Sequence, residues 1–361
     1  MEFALVTPYR LSSGDLVAFD PIVVEAIDAD GREGWGEALI VPGYAPESAE
    51  HAWEMCCGLS ERIAGLGTAA ARRLVTERRD ASAGASSALL AALEMMVGHP
   101  MLTVERECRV PLVAPCQAHD PAEIADEVER LITTGFRTLK VKVGYDWRED
   151  LRRVSRIQEA TAGRAMLRLD ANRGFSESDA TAFASRLDPR GIELFEQPCA
   201  AHDWAANGAV ASASAVPVML DESIYGIADI ERAAQLPGVA YVKLKLKKMG
   251  GVEMLVRALR RSAELGLDAV LGDGVSTEIG CWMEATVGAR MVRNAGEMNG
   301  FLKVHQRLFT NPLEFKEGAI VLRPHYWPQV DREALAAHTR AVREFGARMK
   351  VALPQDRSAR A

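Results

Sequence analysis

Apolar and polar positions follow two different rhythms along this chain, and the change falls near residue 107. Before it, strands come first and helices afterwards. "DPIVVEAIDADGREGWGEALI" reads as an apolar strand, an Asp-Gly turn and a second strand, hence a hairpin. Helical periodicity follows in "SAEHAWEMCCGLSERIAGL" and "ASSALLAALEMMVG". Beyond 107, short apolar runs alternate with amphipathic stretches. "RVPLVAP" leads into "PAEIADEVERLITTGF", "TLKVKVG" into "WREDLRRVSRIQEATAG", and "AMLRLDAN" into "SESDATAFASRL". The runs "GIELFEQP", "PVMLDES", "AYVKLKLKK", "LDAVLGDG" and a weaker one ending near "NAGEMNG" complete eight. Repeated βα units mean parallel strands, and eight over roughly 200 residues have the size of a (β/α)8 barrel. Residues 306–361 add strand-like "AIVLRP" and helix-like "DREALAAHTRAVREFGARM". The pattern predicts an α/β protein in three parts: an α+β unit over 1–106, a barrel over 107–305, and a segment over 306–361 packing back on the first unit.

In "TLKVKVGYD" two lysines interrupt the apolar run. Side chains two apart share a strand face, so Lys140 and Lys142 point one way and Leu139, Val141 and Val143 the other. Two ammonium groups pushed together inside a protein are costly unless the site uses them. From the second strand onward each strand ends in an ionisable residue: Lys142, Asp170, Glu196, Asp221, Lys245, Asp273 and Glu297, recurring every 24 to 28 residues. In a barrel that place is the C-terminal mouth, where the active sites of this fold sit. A lone Asp or Glu there is a helix cap or loop residue. Three consecutive strands ending "LDAN", "FEQP" and "LDES" instead bring Asp170, Glu196 and Asp221 to one mouth, where mutual repulsion should raise each pKa. A hard divalent cation relieves that repulsion, and all-oxygen ligation suits Mg2+, with Mn2+ as a substitute. Lys140 beside Lys142 should lower the pKa of Lys142, making it a base near neutral pH. Lys243 and Lys245 approach from the sixth strand, opposite the second, while Lys247 and Lys248 read as solvent or loop residues.

Composition narrows the partners. The net charge of −7 disfavours nucleic acid and anionic membranes. No apolar run approaches the ~18 residues of a membrane span, and the N-terminus lacks a signal-peptide pattern. Six cysteines are scattered without a CxxC pair, and seven histidines without HExxH. Reduced, mostly buried thiols in a cytoplasmic protein are the expectation.

These residues resemble those of the enolase superfamily, in its muconate lactonizing enzyme branch. The likeness runs almost the full length, through "VVEAIDADGREGWGEA", "LKVKVG", "DAN", "EQP", "DES" and "KLKKMGG" in order. It implies an α+β capping domain over a modified TIM barrel, (β/α)7β, with one Mg2+ held by Asp170, Glu196 and Asp221. It further implies Lys142 and Lys245 as acid and base, Lys140 tuning Lys142, Asn172 and Glu222 supporting the ligands, and a homo-oligomer. The implied chemistry is abstraction of the proton α to the carboxylate of a small molecule, through an enediolate. A lysine on each face makes this a racemase or epimerase of an amino-acid-like substrate. A dehydratase, lyase or cycloisomerase shares the first half-reaction. A non-catalytic binding protein is expected to have lost one of the five positions, all of which are filled.

Departures from the family bear on the substrate. The sixth strand usually carries Asn where this chain has Lys243, which reads equally as a buried ion-pair partner or a functional group. "LGDGVSTEIGCWMEA" replaces a Met-rich segment. Glu297-Met298-Asn299 stands where dipeptide epimerases carry Asp-x-Asp. Asp273 and Glu297 are therefore candidates for a cationic nitrogen, as in an amino acid, a betaine or a proline derivative. Asp273 also reads as a turn former in "GDG". Loops 7–15, with Tyr9 and Arg10, and 41–48, with Tyr44, are candidates to close over the site.

Overall fold

The computed structural model describes residues 1–11 and 14–346. Four strands open the chain: β1 (Phe3–Leu11), β2 (Gly14–Phe19), β3 (Ile22–Ile27) and β4 (Glu33–Ala38). β3 and β4 form the expected hairpin, in register from Ile22↔Ala38 to Ile27↔Glu33. Segment 7–15, expected as a loop, belongs to the β1–β2 hairpin instead; Ser12, Ser13 and the side chains of Tyr9 and Arg10 lie outside the described residues. Three helices follow: α1 (Ala49–Ile63), α2 (Thr68–Thr76) and α3 (Ala83–Met96). α2 escapes the apolar pattern because it buries only Ala71 and Val75. α3 is buried on every side, and its contact with β4 depends on glycine. A Cβ on Gly34 or Gly36 would stand 2.1 Å from the carbonyl oxygen of Ala92 or Ala88.

"RVPLVAP" is two strands, not one: β5 (Cys108–Pro111) and β6 (Ala114–Cys116). β6 begins a parallel sheet continued by β7 (Thr138–Lys142), β8 (Met166–Asp170), β9 (Ile192–Glu196), β10 (Val218–Leu220), β11 (Val239–Leu244) and β12 (Asp268–Leu271), neighbours in that order. Between them run α4 (Pro121–Thr133), α5 (Trp147–Thr161), α6 (Glu177–Ala184), α7 (Trp204–Ala213), α8 (Ile227–Ala233), α9 (Leu246–Met249) and α10 (Val252–Glu264); α11 (Glu278–Met291) follows β12. The eighth position is a bridging segment rather than a strand. Glu297 N donates to Leu271 O at 2.8 Å, and Val113 N donates to Gly296 O at 2.9 Å, which closes the ring between β12 and β6. The architecture is thus a modified TIM barrel. Leu194, Met219 and Val270 pack with Tyr241 as a small apolar cluster of the barrel strands.

β13 (Glu314–Lys316) and β14 (Ala319–Leu322) form a separate sheet with β5, antiparallel throughout. β5 runs against β14, so it cannot also be the first parallel strand of the barrel. The final helix, expected to reach residue 349, is α12 (Arg332–Ala337) alone, and residues 347–349 lie outside the described residues. The stretch after it leaves Val342 and Phe345 exposed, so no apolar face is buried to hold a helix. Arg340 pairs with Glu2 and Asp20, tying this segment to the first strands. Among the described residues no helix is long and apolar enough to cross a membrane.

Candidate active site

Strand register assembles the site. Lys142 on β7 lies beside Asp170 on β8, and Asp170 beside Glu196 on β9. Side chains in register on neighbouring strands share a face, so these three form a row. Asp221 follows β10, whose Met219 pairs with Glu196. Lys245 follows β11, four positions from β7 either way around the ring, which sets it across the mouth from Lys142.

Each expected carboxylate meets an ammonium group. Lys142 Nζ donates to Asp170 Oδ2 at 2.6 Å and also to Asn172 Oδ1. Lys140 Nζ stands 2.9 Å from the same Asp170 oxygen, 2.8 Å from Glu196 Oε2 and 2.7 Å from Glu297 Oε1. The two lysines of "KVK" therefore converge on one carboxylate oxygen, with an anion between their charges. Lys245 Nζ donates to Asp221 Oδ2 at 2.9 Å, and Lys248 Nζ to Asp221 Oδ1 at 2.8 Å. Asn172 Nδ2 reaches Glu222 Oε1 at 3.2 Å, so the two expected supporting residues touch each other, and Asn172 joins the row through Lys142 and Asp170.

This pairing changes the expected titration. Burial, with Asp170 close by, pushes Glu196 up to about 8. Burial acts on Asp170 too, but Lys140 and Lys142 outweigh it and hold the carboxyl below its ordinary value. Asp221 lies well below its ordinary value, because Lys245 and Lys248 overcome the same burial. The uniform rise expected from three mutually repelling carboxylates is thus confined to Glu196. Burial opposes the charge of Lys245, yet Asp221 and Asp273 more than compensate and hold its ammonium above the ordinary lysine range. In this arrangement Lys245 is an ammonium group at neutral pH.

Glu297 is buried, its carboxylate shared by Lys140 and Lys243, each 2.7 Å away. Lys243 therefore sits in an ion pair inside the barrel. Asp273 Oδ2 lies 2.6 Å from Lys247 Nζ, and its Oδ1 accepts from Val275 N. Lys247 and Lys248 are not the solvent residues expected: Lys247 also donates to Leu39 O, and Lys248 is buried against Asp221. The signal for Lys248 was its spacing. It follows Lys245 by three residues across the short α9, so the turn brings both to one side.

Loop 41–48 covers the mouth through Tyr44. Its hydroxyl donates to the Asp221 carboxylate at 2.8 Å and accepts from Lys245 Nζ, which also lies 4.3 Å from the ring centroid. Arg173 holds the same loop by donating to Gly43 O at 2.9 Å. Hydrogen bonds to charged groups contribute about 1.5–3 kcal/mol each. Tyr44→Phe should therefore speed amide hydrogen exchange across 41–48 by about tenfold or more, read by mass spectrometry. Unchanged exchange there would mean that Tyr44 does not hold the loop.

Metal fit rests on the donors. Both Glu196 oxygens are buried without a hydrogen bond of acceptable direction, although Lys140 stands close. Among the described residues no three His, Cys, Asp or Glu side chains are gathered closely enough to cage a metal, and ammonium groups face the three carboxylates. Three buried carboxylates from consecutive strands, one with unsatisfied oxygens, nevertheless form the donor set that a hard divalent cation takes.

Comparison with known proteins supplies an independent line. A family model described as enolase C-terminal domain-like matches residues 123–325. The chain is 27% identical over 289 residues to the L-Ala-D/L-Glu epimerase of Bacillus subtilis (strain 168), spanning 76% of this chain and 79% of that one. It is 26% identical over 335 residues to muconate cycloisomerase 1-2 of Acinetobacter lwoffii, spanning 88% and 86%. In fold it is similar to a dipeptide epimerase from Cytophaga hutchinsonii complexed with Mg and the dipeptide D-Ala-L-Val. The TM-score is 0.84 at 21% identity, covering 93% of this chain and 95% of that one.

Proposed function

Since the chain belongs to the enolase C-terminal domain-like family, we propose that it is a racemase or epimerase of an amino-acid-like carboxylate. The observation that carries this reading is the placement of Lys142 and Lys245 across one mouth, each bonded to a carboxylate of the Asp170, Glu196 and Asp221 set. Those three residues would hold Mg2+, which when bound supplies charge stabilisation for the substrate carboxylate as its α-proton leaves.

The protein's own groups move the proton. Lys142, as the free amine, takes the α-proton from one face, with its Nζ fixed by Asp170 and Asn172. Lys245 enters the reaction as an ammonium, held so by Asp221 and Asp273, and gives its proton to the opposite face. The other enantiomer uses the same pair with roles exchanged. Tyr44 accepts from Lys245 and so limits the directions in which its Nζ points. With its loop it also excludes water from the carbanion-like intermediate. The free cysteines, mostly buried, support a reducing, cytoplasmic setting for this reaction.

The test is proton NMR in D2O with Mg2+ and a panel of L-proline, L-alanyl-L-glutamate and their N-acetyl and N-succinyl counterparts. Loss of the α-proton signal with inversion of configuration is expected for at least one member. Loss of water or ring formation would replace the reading with a lyase or cycloisomerase, and no exchange in any member would overturn it. Treatment with EDTA should abolish the exchange, and added Mg2+ or Mn2+ should restore it. Exchange that survives chelation would remove the metal from the proposal.

A further inference from the structure

Between β4 of the first domain and the barrel lies a cavity of about 20 Å³, room for one water-sized group. Glu37, Asp273 and Glu284 line it together with Lys247, so three carboxylates face one ammonium group. Leu246 lines it as well and follows Lys245 in sequence, and Asp273 in its wall is one of the anions that hold the charge of Lys245.

The three carboxylates are not equivalent. Glu37 is saturated, accepting from Thr277 N at 2.8 Å, Gly280 N at 3.0 Å and the Thr277 hydroxyl. Asp273 divides its oxygens between Val275 N and Lys247. Glu284 accepts from Leu246 N through Oε1 at 2.7 Å, while its Oε2 is buried with no hydrogen-bond partner. Glu284 is 3% exposed, so its unpaired oxygen faces the cavity and not bulk solvent. A buried carboxylate oxygen left unpaired is costly unless a cationic donor meets it. Burial and Asp273 together push Glu284 up to about 8, the response of an anion with too little countercharge.

We propose that this cavity receives the cationic nitrogen of the substrate, with Glu284 Oε2 as its acceptor and Asp273, shared with Lys247, adding negative charge beside it. The carboxylates turned over therefore carry a protonated amine. The expectation that Glu297 serves such a nitrogen gives way, since Lys140 and Lys243 already share its carboxylate. The proposal deepens the racemase reading and rests on it for the position of the reacting carbon.

The experiment is isothermal titration calorimetry of the Mg2+-loaded protein with L-proline and L-alanyl-L-glutamate, each against its N-acetyl counterpart. The wild-type protein should prefer the cationic member of each pair by about tenfold or more. Glu284→Gln keeps an oxygen for Leu246 N and should bring that ratio toward one, as should Asp273→Asn if the first variant fails to fold. Ammonium chloride should compete with the cationic ligands more strongly than sodium chloride at equal ionic strength. Absence of any preference in the wild-type protein, absence of binding included, overturns the proposal. So does a preference that survives in the variants. An intact preference without deuterium exchange in any panel member would sink the racemase reading and leave the cation subsite standing.

Discussion

Replacing Lys142 or Lys245 by alanine should stop interconversion of the two enantiomers, with a loss of about 10²- to 10⁴-fold in kcat, the usual weight of a positioned acid or base. The two variants should differ in what they keep. Without Lys245, Lys142 still removes the proton from its own face, so one enantiomer continues to exchange its α-proton with D2O while its configuration stays fixed. Without Lys142 the other enantiomer does so. The prediction follows from the ring positions of β7 and β11 and from separate anchoring, Lys142 on Asp170 and Lys245 on Asp221. NMR of each pure enantiomer, with chiral chromatography of the products, reads both quantities. If both variants lose exchange of both enantiomers equally, the two lysines do not act from opposite faces.

The second large effect lies inside the barrel. Glu297→Met should destabilise the protein by about 3–5 kcal/mol, the range for removing one partner of a buried ion pair. Two ammonium groups, Lys140 and Lys243, each lose a carboxylate 2.7 Å away. Lys140 keeps Asp170 and Glu196, whereas Lys243 is 0% exposed and keeps no ion pair of that length among the described residues. Adding Lys243→Met to Glu297→Met should therefore recover most of the loss, and Lys243→Met alone should cost little because Lys140 still answers Glu297. Urea unfolding of the four proteins gives the cycle. A Glu297→Met variant within about 1 kcal/mol of wild type would show that the cluster is not a stabilising one.

That cycle also bears on Lys243, whose two readings stood level from the sequence. The ion pair places it beside Glu297, and only the closing of the ring brings these residues together, because Glu297 belongs to the bridging segment rather than to a strand. Lys248 was misread for a similar reason. Its charge suggested solvent, but α9 turns it onto Asp221 and buries it. Tyr44 was legible only as a loop residue near the mouth. Nothing in "VPGYAPES" states that its hydroxyl meets a carboxylate 177 residues away.

The chain's own order of residues determined the repeating βα units, the inward face of each strand and the ionisable residue at each strand end. Those features are local: a period of two along a strand and a recurrence every 24 to 28 residues survive without knowledge of partners. It also carried the family likeness, since the motifs lie in the strands and the residues directly after them. Tertiary structure alone decided which ammonium meets which carboxylate, how β5 left the barrel for β14, and which carboxylate oxygen was left unpaired. Register, ring closure and burial join residues far apart in sequence, and the sign of a buried group's pKa shift depends on those neighbours rather than on its own type.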